Sequence, residues 1–416
     1  MNLKIELVNV YSSLILFAWL LVSVLFLGNY NIIYYLIIWI LLLLFFLLRE
    51  KNELAFNKLY IFSLKRIMMI FIIYTCLSTM INASMGNFNS LSSYTRLLTN
   101  IVFFVVPYIT LYYSIGKEFR IFFVKGYRSL LLFFSLLGVF EYVTKIQPYT
   151  FLIKSQAAIY NFLEYGSVQS SNYRTTLIFY HPNLYSTLLV VYFVFLIYKP
   201  FKNNIIQLIG VALFLANIIL TQSRTGWISL FLVAILIFLK SFLLNLEIKK
   251  MVYKIAKVLI VFLLIFLFFS VFSKIYQSFS KILYERINDA VSGQAYGARL
   301  ENWRLLSIAW KSFTNILIGG GDNYAISLLQ EYPSINNWSR AIDNQFLTFL
   351  INYGVLGTSI FIYLTLKTLR CFFKSNDDIK SGICLAVFAI LISSWTYEFF
   401  GLNSVNYLLF ILICLI

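Results

Sequence analysis

Four short groups of residues in this 416-residue chain combine types and spacings that could do chemistry. The first is Thr221-Gln222-Ser223-Arg224-Thr225-Gly226-Trp227, a polar turn between two apolar runs. A guanidinium there is the natural fork for phosphate oxygens; an arginine at a helix end also serves simply by snorkelling to headgroups. The second is Gly297-Ala298-Arg299-Leu300-Glu301-Asn302-Trp303-Arg304, followed by Gly319-Gly320-Gly321-Asp322-Asn323. Arg299 and Trp303 are four apart and share a helical face. The glycines allow a tight return or a close backbone approach to a ligand, or they stop an interfacial helix. The third is Asp343-Asn344-Gln345-Phe346-Leu347, which leads into an apolar run containing Gly354 and Gly357. Its carboxylate suits a general base for a sugar hydroxyl, helped by burial near hydrocarbon, and it equally suits a helix N-cap. The fourth is Arg174 with Phe179-Tyr180-His181-Pro182-Asn183. His181, the single histidine, reads either as a base or as a structural hydrogen-bonding residue beside proline. Glu398, between the last two apolar runs, is a reserve base and sugar ligand, or a short-loop charge. One histidine and no compact Asp/Glu cluster give no expectation of a metal site.

The elements that must position these groups are membrane helices. The chain is 61% apolar and 12% charged, with a mean hydropathy of +0.84, whereas a soluble domain carries roughly a quarter charged residues. A helix needs about 20 mostly apolar residues to cross the bilayer core. Such stretches fall near 11–28, 31–48, 66–82, 97–115, 126–144, 183–198, 204–221, 225–244, 256–273, 345–366, 380–397 and 401–416. The expected fold is therefore an all-α integral membrane protein, a single polytopic domain over 1–416 with about twelve transmembrane helices. Two long segments interrupt the pattern, at 145–182 and 274–344, and long ordered loops usually carry sites. In the second, Leu300, Trp303, Leu306, Trp310 and Leu317 recur at near-helical spacing, which predicts an amphipathic helix on the interface.

The net charge of +17 raises the possibility of nucleic acid, but the basic residues are distributed as in a membrane protein. With the N-terminus inside, 21 of the 33 Lys and Arg fall on one side, and the positive-inside rule makes that side cytoplasmic. Both termini are then cytoplasmic, and both long segments face outward. The first apolar run lacks a small-residue cleavage site and is expected to stay as the first helix. Cys76, Cys371, Cys384 and Cys414 fall within spans or on the inner side, so no disulfide framework is expected. Glu141 is the one charge within the spans expected to be buried.

In this order, the motifs resemble the O-antigen ligase and polymerase superfamily, and in particular its O-antigen and capsular polysaccharide polymerases (Wzy). Members show a PN element before a mid-chain span, an SR-T/G turn, an R…W…G-x-G outer loop, and an HN or DN helix start with a later G-x-x-G. Here these are His181-Pro182-Asn183, Ser223-Arg224-Thr225-Gly226, Arg299 with Trp303 and Gly319-x-Gly321, and Asp343-Asn344 with Gly354 and Gly357. The resemblance covers roughly residues 174–360 and implies a GT-C-like fold. It further implies metal-independent, inverting glycosyl transfer, without cofactor, from an undecaprenyl-diphosphate-linked glycan to a lipid-linked acceptor. The reaction would take place on the outer face of a bacterial cytoplasmic membrane. Partners would be the bilayer, a chain-length regulator and a flippase of the same pathway, with no nucleic acid. Arg174, Arg224 and Arg299 are then candidates to hold the diphosphate. Asp343 is the first candidate base, His181 and Glu398 are reserves, and Trp303, Asn344 and Glu398 are glycan contacts. Ligases of the superfamily carry a histidine where this chain has Asp343, a departure that argues for a polymerase. The alternatives are a ligase-like transferase and a flippase for lipid-linked oligosaccharides.

Overall fold

A computed structural model describes residues 12–24, 63–84, 91–112, 117–147, 149–169, 173–243, 302–332, 342, 344–399 and 403–416. The expected spans at 31–48 and 256–273, and the candidate residues Arg299 and Asp343, lie outside them. The described residues form helices and no strands. In chain order these are α1 (Ser12–Val24), α2 (Leu64–Ser84), α3 (Leu91–Tyr112), α4 (Lys117–Thr144), α5 (Gln156–Asn161), α6 (Pro182–Tyr198), α7 (Asn204–Leu220) and α8 (Arg224–Leu243). There follow α9 (Arg304–Ala309), α10 (Phe313–Ile318), α11 (Tyr324–Glu331), α12 (Gln345–Lys374), α13 (Asp378–Ser393) and α14 (Asn403–Leu415).

The apolar pattern explains the layering. α6 and α13 are apolar on all sides and buried along nearly their whole length, and they pack on each other at the centre. α4, α7, α8, α12 and α14 surround that pair. The outer helices turn apolar stripes away from the bundle: Ile70, Ile73 and Leu77 on α2, Phe133, Leu136 and Phe140 on α4, and Ile228, Phe231 and Phe238 on α8 are all exposed. In water such stripes are association hazards; against lipid they are the expected surface. Among the described residues, four helices are long and apolar enough to cross a membrane: Leu64–Ser84, Glu118–Thr144, Arg224–Phe242 and Gln345–Lys374. The chain is an α-helical membrane protein.

Inside hydrocarbon each backbone N–H and C=O needs a protein partner, and helix ends are where this becomes hard. Among the described residues, buried cations solve it three times. Arg128 donates to the Lys199 carbonyl at the end of α6 and lies 3.6 Å from the ring centre of Phe201. Lys240 donates to the carbonyls of Phe372 (2.7 Å) and Ser375 (2.9 Å) at the end of α12. Arg174 does the same for α7, as described below. Glu141 is therefore not alone as a buried charge: Arg128 and Lys240 join it because helix C-termini attract cations.

The largest departure from regular helix is in α12, which breaks at Gly354 (φ 62°, ψ −166°). Gly319–Gly321 fill the break: Gly320 N donates to Ile351 O (3.0 Å) and Gly321 N to Asn352 O (2.8 Å). Tyr74 Oη donates to Tyr353 O at 2.9 Å. Ser78 Oγ and Asn82 Nδ2, also on α2, bond the carbonyls of Ile318 and Gly319. A Cβ on Gly319 would run into the Asn352 backbone, and one on Gly354 into the Leu317 carbonyl. The glycines thus serve a close approach of backbone to backbone, and Gly319 also ends α10. Where a single amphipathic helix is expected from Leu300 to Leu317, the described part of that stretch forms two short helices, α9 and α10. The chain turns at Trp310, Ser312 Oγ caps α10 by accepting from Asn315 N at 3.1 Å, and Leu305 and Ala309 supply the buried face of α9.

Gly354→Ala should therefore lower stability by about 1–3 kcal/mol, the usual cost of forcing a side chain into positive φ at a crowded site. Thermal unfolding of the detergent-solubilised protein would show it as a lowered midpoint, and an unchanged midpoint would contradict the packing.

Candidate functional site

The site is built from the starts of three helices and the turn that follows a fourth. Pro182 begins α6 at a position where its missing N–H costs nothing. His181 caps that helix, its Nδ1 accepting from Asn183 N at 3.1 Å. With Nδ1 an acceptor, a neutral ring carries its hydrogen on Nε2 and presents a donor there. The imidazole stacks on Tyr397 (4.4 Å between centroids) and meets the edge of Tyr165 (5.5 Å). Burial, reinforced by the charge of Arg174, pushes its pKa well below the usual histidine range. His181 is thus a neutral, wedged cap, which is the structural alternative of the sequence reading.

Arg174 reaches across to the end of α7, donating from Nε to Thr221 O (2.7 Å) and from Nη2 to Gln222 O (3.0 Å). It therefore clamps the turn that carries Arg224. That turn needs a positive φ of 49° at Gln222, and Ser223 starts α8 by accepting from Gly226 N at 3.2 Å. Ser223 Oγ also donates to Asn183 Oδ1 and accepts from Ser186 Oγ, both at 2.8 Å. A Cβ on Gly226 would come within 2.6 Å of Ser186 Cβ. The PN and SR-T/G motifs are thus one hydrogen-bonded unit, with glycine where α8 touches α6. Arg224 is half-buried at the N-terminus of α8.

A buried carboxylate holds the segment that delivers Arg174 and His181. Glu141 accepts from Gln147 Nε2, Tyr149 Oη, Thr176 N and Leu177 N, all at 3.2 Å. These bonds fix a stretch with positive φ at Leu177 and Tyr180. The sequence signal was a lone glutamate at the end of an apolar run, which gives no hint of its partners.

The turn after α13 joins this unit to α12. Tyr397 stacks on His181, Thr396 Oγ1 donates to Thr225 Oγ1 (2.8 Å), Ser394 O accepts from Gln345 N (3.0 Å), and Trp395 stacks on Phe346 (4.9 Å). The cap of α12 is Asn344, whose Oδ1 accepts from Leu347 N at 3.1 Å. The capping role considered for Asp343 therefore belongs to its neighbour. Asn302 Nδ2 donates to Ile342 O (3.0 Å), linking the R…W segment to this helix start, whereas Trp303 is exposed. Beyond the turn, Glu398 lines a small cleft with Asp322, Gln345, Asn352 and Tyr353. Arg174, His181 and the turn that carries Arg224 thus belong to one packed unit, and Glu398 lines the neighbouring cleft. Tyr397, Thr396 and Asp322 carried no role in the sequence reading.

Residues 209–362 match the family model described as O-antigen ligase. The match supports membership of the O-antigen ligase and polymerase superfamily. It includes Arg224, Gly319–Gly321, Asn344, Gly354 and Gly357, and leaves Arg174, His181 and Glu398 outside. The match, over less than half of the chain, suggests in broad terms a glycan-processing function of the glycosyltransferase or ligase type. No curated protein matches the chain.

The neutral state of His181 has a pH consequence. Its folded pKa lies below its unfolded value of about 6.5, so the unfolded chain binds more protons at acid pH and stability is lost as pH falls through that value. The unfolding midpoint of wild type should drop between pH 7 and pH 5 more than that of His181→Gln; parallel curves would contradict the assignment.

Proposed function

We propose that the chain is a polysaccharide polymerase. It joins undecaprenyl-diphosphate-linked repeat units on the outer face of the cytoplasmic membrane by metal-independent, inverting glycosyl transfer. The observation that carries this reading is the gathering of Arg174 and Arg224 at the start of α8, beside the cap of α6. A diphosphate leaving group gains negative charge as the glycosidic bond breaks. Fixed cations and a helix N-terminus aimed at that charge are a large catalytic term. Arg224 is the direct ligand in this reading, Arg174 adds charge while holding the turn, and Arg299 is the third cation. Asn344, Trp303 and Glu398 contact the glycan.

A ligase-like transferase would use the same leaving group and differ in its acceptor. A flippase would move the lipid-linked glycan without making a bond. Purified protein given a synthetic undecaprenyl-diphosphate repeat unit should produce a ladder of chain lengths. Arg224→Ala should slow elongation by about 10²-fold or more, as for removal of a preorganised charge-stabilising group. Full ladders from both Arg224→Ala and Arg299→Ala would remove the diphosphate assignment. Movement of substrate between leaflets with no ladder would favour the flippase.

A further inference from the structure

Two of the four cysteines meet at the far end of α12 from its Asn344 cap. Cys371 lies in the last turn of α12 and Cys384 in the second turn of α13. Both are free thiols, and Cys384 Sγ donates to Cys371 Sγ at 3.0 Å. A further approach to about 2 Å makes a disulfide. The two sulfurs are held in place by their surroundings. Lys240 Nζ, which bonds the carbonyls of Phe372 and Ser375, also donates to Ser381 Oγ at 2.6 Å, so one ammonium group ties together the two helices that carry the cysteines. The connection between them is equally fixed: Ser381 Oγ donates to Ser375 O at 3.1 Å, and Asp377 Oδ1 accepts from Ile379 N at 2.9 Å.

The pair is asymmetric in access. Cys384 is fully buried, whereas Cys371 is only half-buried. Its neighbours Arg370 and Lys374 are exposed, which puts this end of α12 in contact with water, on the cytoplasmic side in the orientation expected from the basic residues. Cytoplasmic disulfides are transient, catalytic or redox-sensing rather than structural. A buried cysteine that serves only as a small apolar side chain needs no second sulfur beside it. An accessible thiol backed by a buried one is instead the arrangement of an attacking and a resolving cysteine.

We propose that Cys371 and Cys384 are a redox-active dithiol, which a low-molecular-weight disulfide converts into a reversible crosslink between α12 and α13. In the first step the Cys371 sulfur gives up its proton and attacks one sulfur of the small disulfide. That S–S bond breaks, a mixed disulfide forms on Cys371, and the first small thiol leaves with the proton. In the second step the Cys384 sulfur attacks the Cys371 sulfur, the mixed S–S bond breaks, and the second small thiol leaves with the Cys384 proton. The two protein thiols have then lost two electrons and two protons, and the small disulfide has been reduced to two thiols. The crosslink fastens the same two helices whose opposite ends, at Gln345 and Ser394, meet beside the candidate site. The proposal holds whichever glycan reaction the chain performs.

The test is incubation of the purified full-length protein in detergent with mixtures of glutathione and glutathione disulfide, followed by blocking of free thiols with iodoacetamide and mass spectrometry of the peptides. Wild type should yield the peptide pair joined through Cys371 and Cys384, within one chain, and dithiothreitol should remove the link. The thermal unfolding midpoint should shift upward on oxidation and return on reduction, because the crosslink restricts the unfolded chain. In Cys384→Ser, glutathione should remain on Cys371 as a mixed disulfide; in Cys371→Ser, Cys384 should stay free while the protein is folded. Wild-type linkage decides the matter even if neither variant folds. A wild type that keeps both thiols free in glutathione disulfide alone, or that links them only between chains, overturns the proposal. Glutathione on Cys384 in folded Cys371→Ser overturns the order of attack and the proposal with it.

Discussion

The constraint on which the structure turns is that backbone polar groups in an apolar bundle must find partners within the protein. An unbroken helix meets it automatically, so every departure from helix has to be repaired by something specific. In α12 the repair is the amides of Gly320 and Gly321, with Tyr74 on α2 completing it. At the ends of α6, α7 and α12 the repair is a buried cation on each last turn. These repairs link segments far apart in sequence, and the linked segments carry the chemistry.

The break in α12 shows how position follows from that constraint. Gly354 opens the helix, a loop from about thirty residues earlier enters, and Asp322 arrives bonded to Tyr353 on the same stretch. Arg174 shows it on the other side, where satisfying the carbonyls of Thr221 and Gln222 also fixes the turn beneath Arg224. The turn after α13 bonds both the arginine-bearing unit and the start of α12.

Much of this was legible in the sequence, and the missing parts share a physical cause. Hydropathy located helices that the structure describes at positions such as 64–84, 182–198 and 345–374, because long apolar runs have few alternatives in a bilayer. The PN and SR-T/G motifs were legible as polar islands. Their union through Asn183, Ser223 and Ser186 was not, because hydrogen bonds between distant serines leave no periodic trace. Glycines at 319–321 suggested close approach but not its partner, which proved to be α12. Asn344 rather than Asp343 caps α12, a distinction of one residue that lies below the resolution of capping rules. Glu141, Arg128 and Lys240 all read in sequence as charges at the edges of apolar runs, which does not tell that the glutamate accepts from the amides of Thr176 and Leu177 while the cations donate to carbonyls at helix ends.

The turn after α13 draws the arginine-bearing unit and the start of α12 together. Thr225 and Thr396 report on it directly, since their hydroxyls stand 2.8 Å apart although the residues are 171 apart in sequence. The most direct measurement is mild oxidation, in membranes, of Thr225→Cys/Thr396→Cys in a chain whose four native cysteines are replaced, with mass-spectrometric detection of the joined peptides. The arrangement predicts rapid and near-complete disulfide formation that dithiothreitol reverses. Thiols that stay reduced in the folded protein would contradict it.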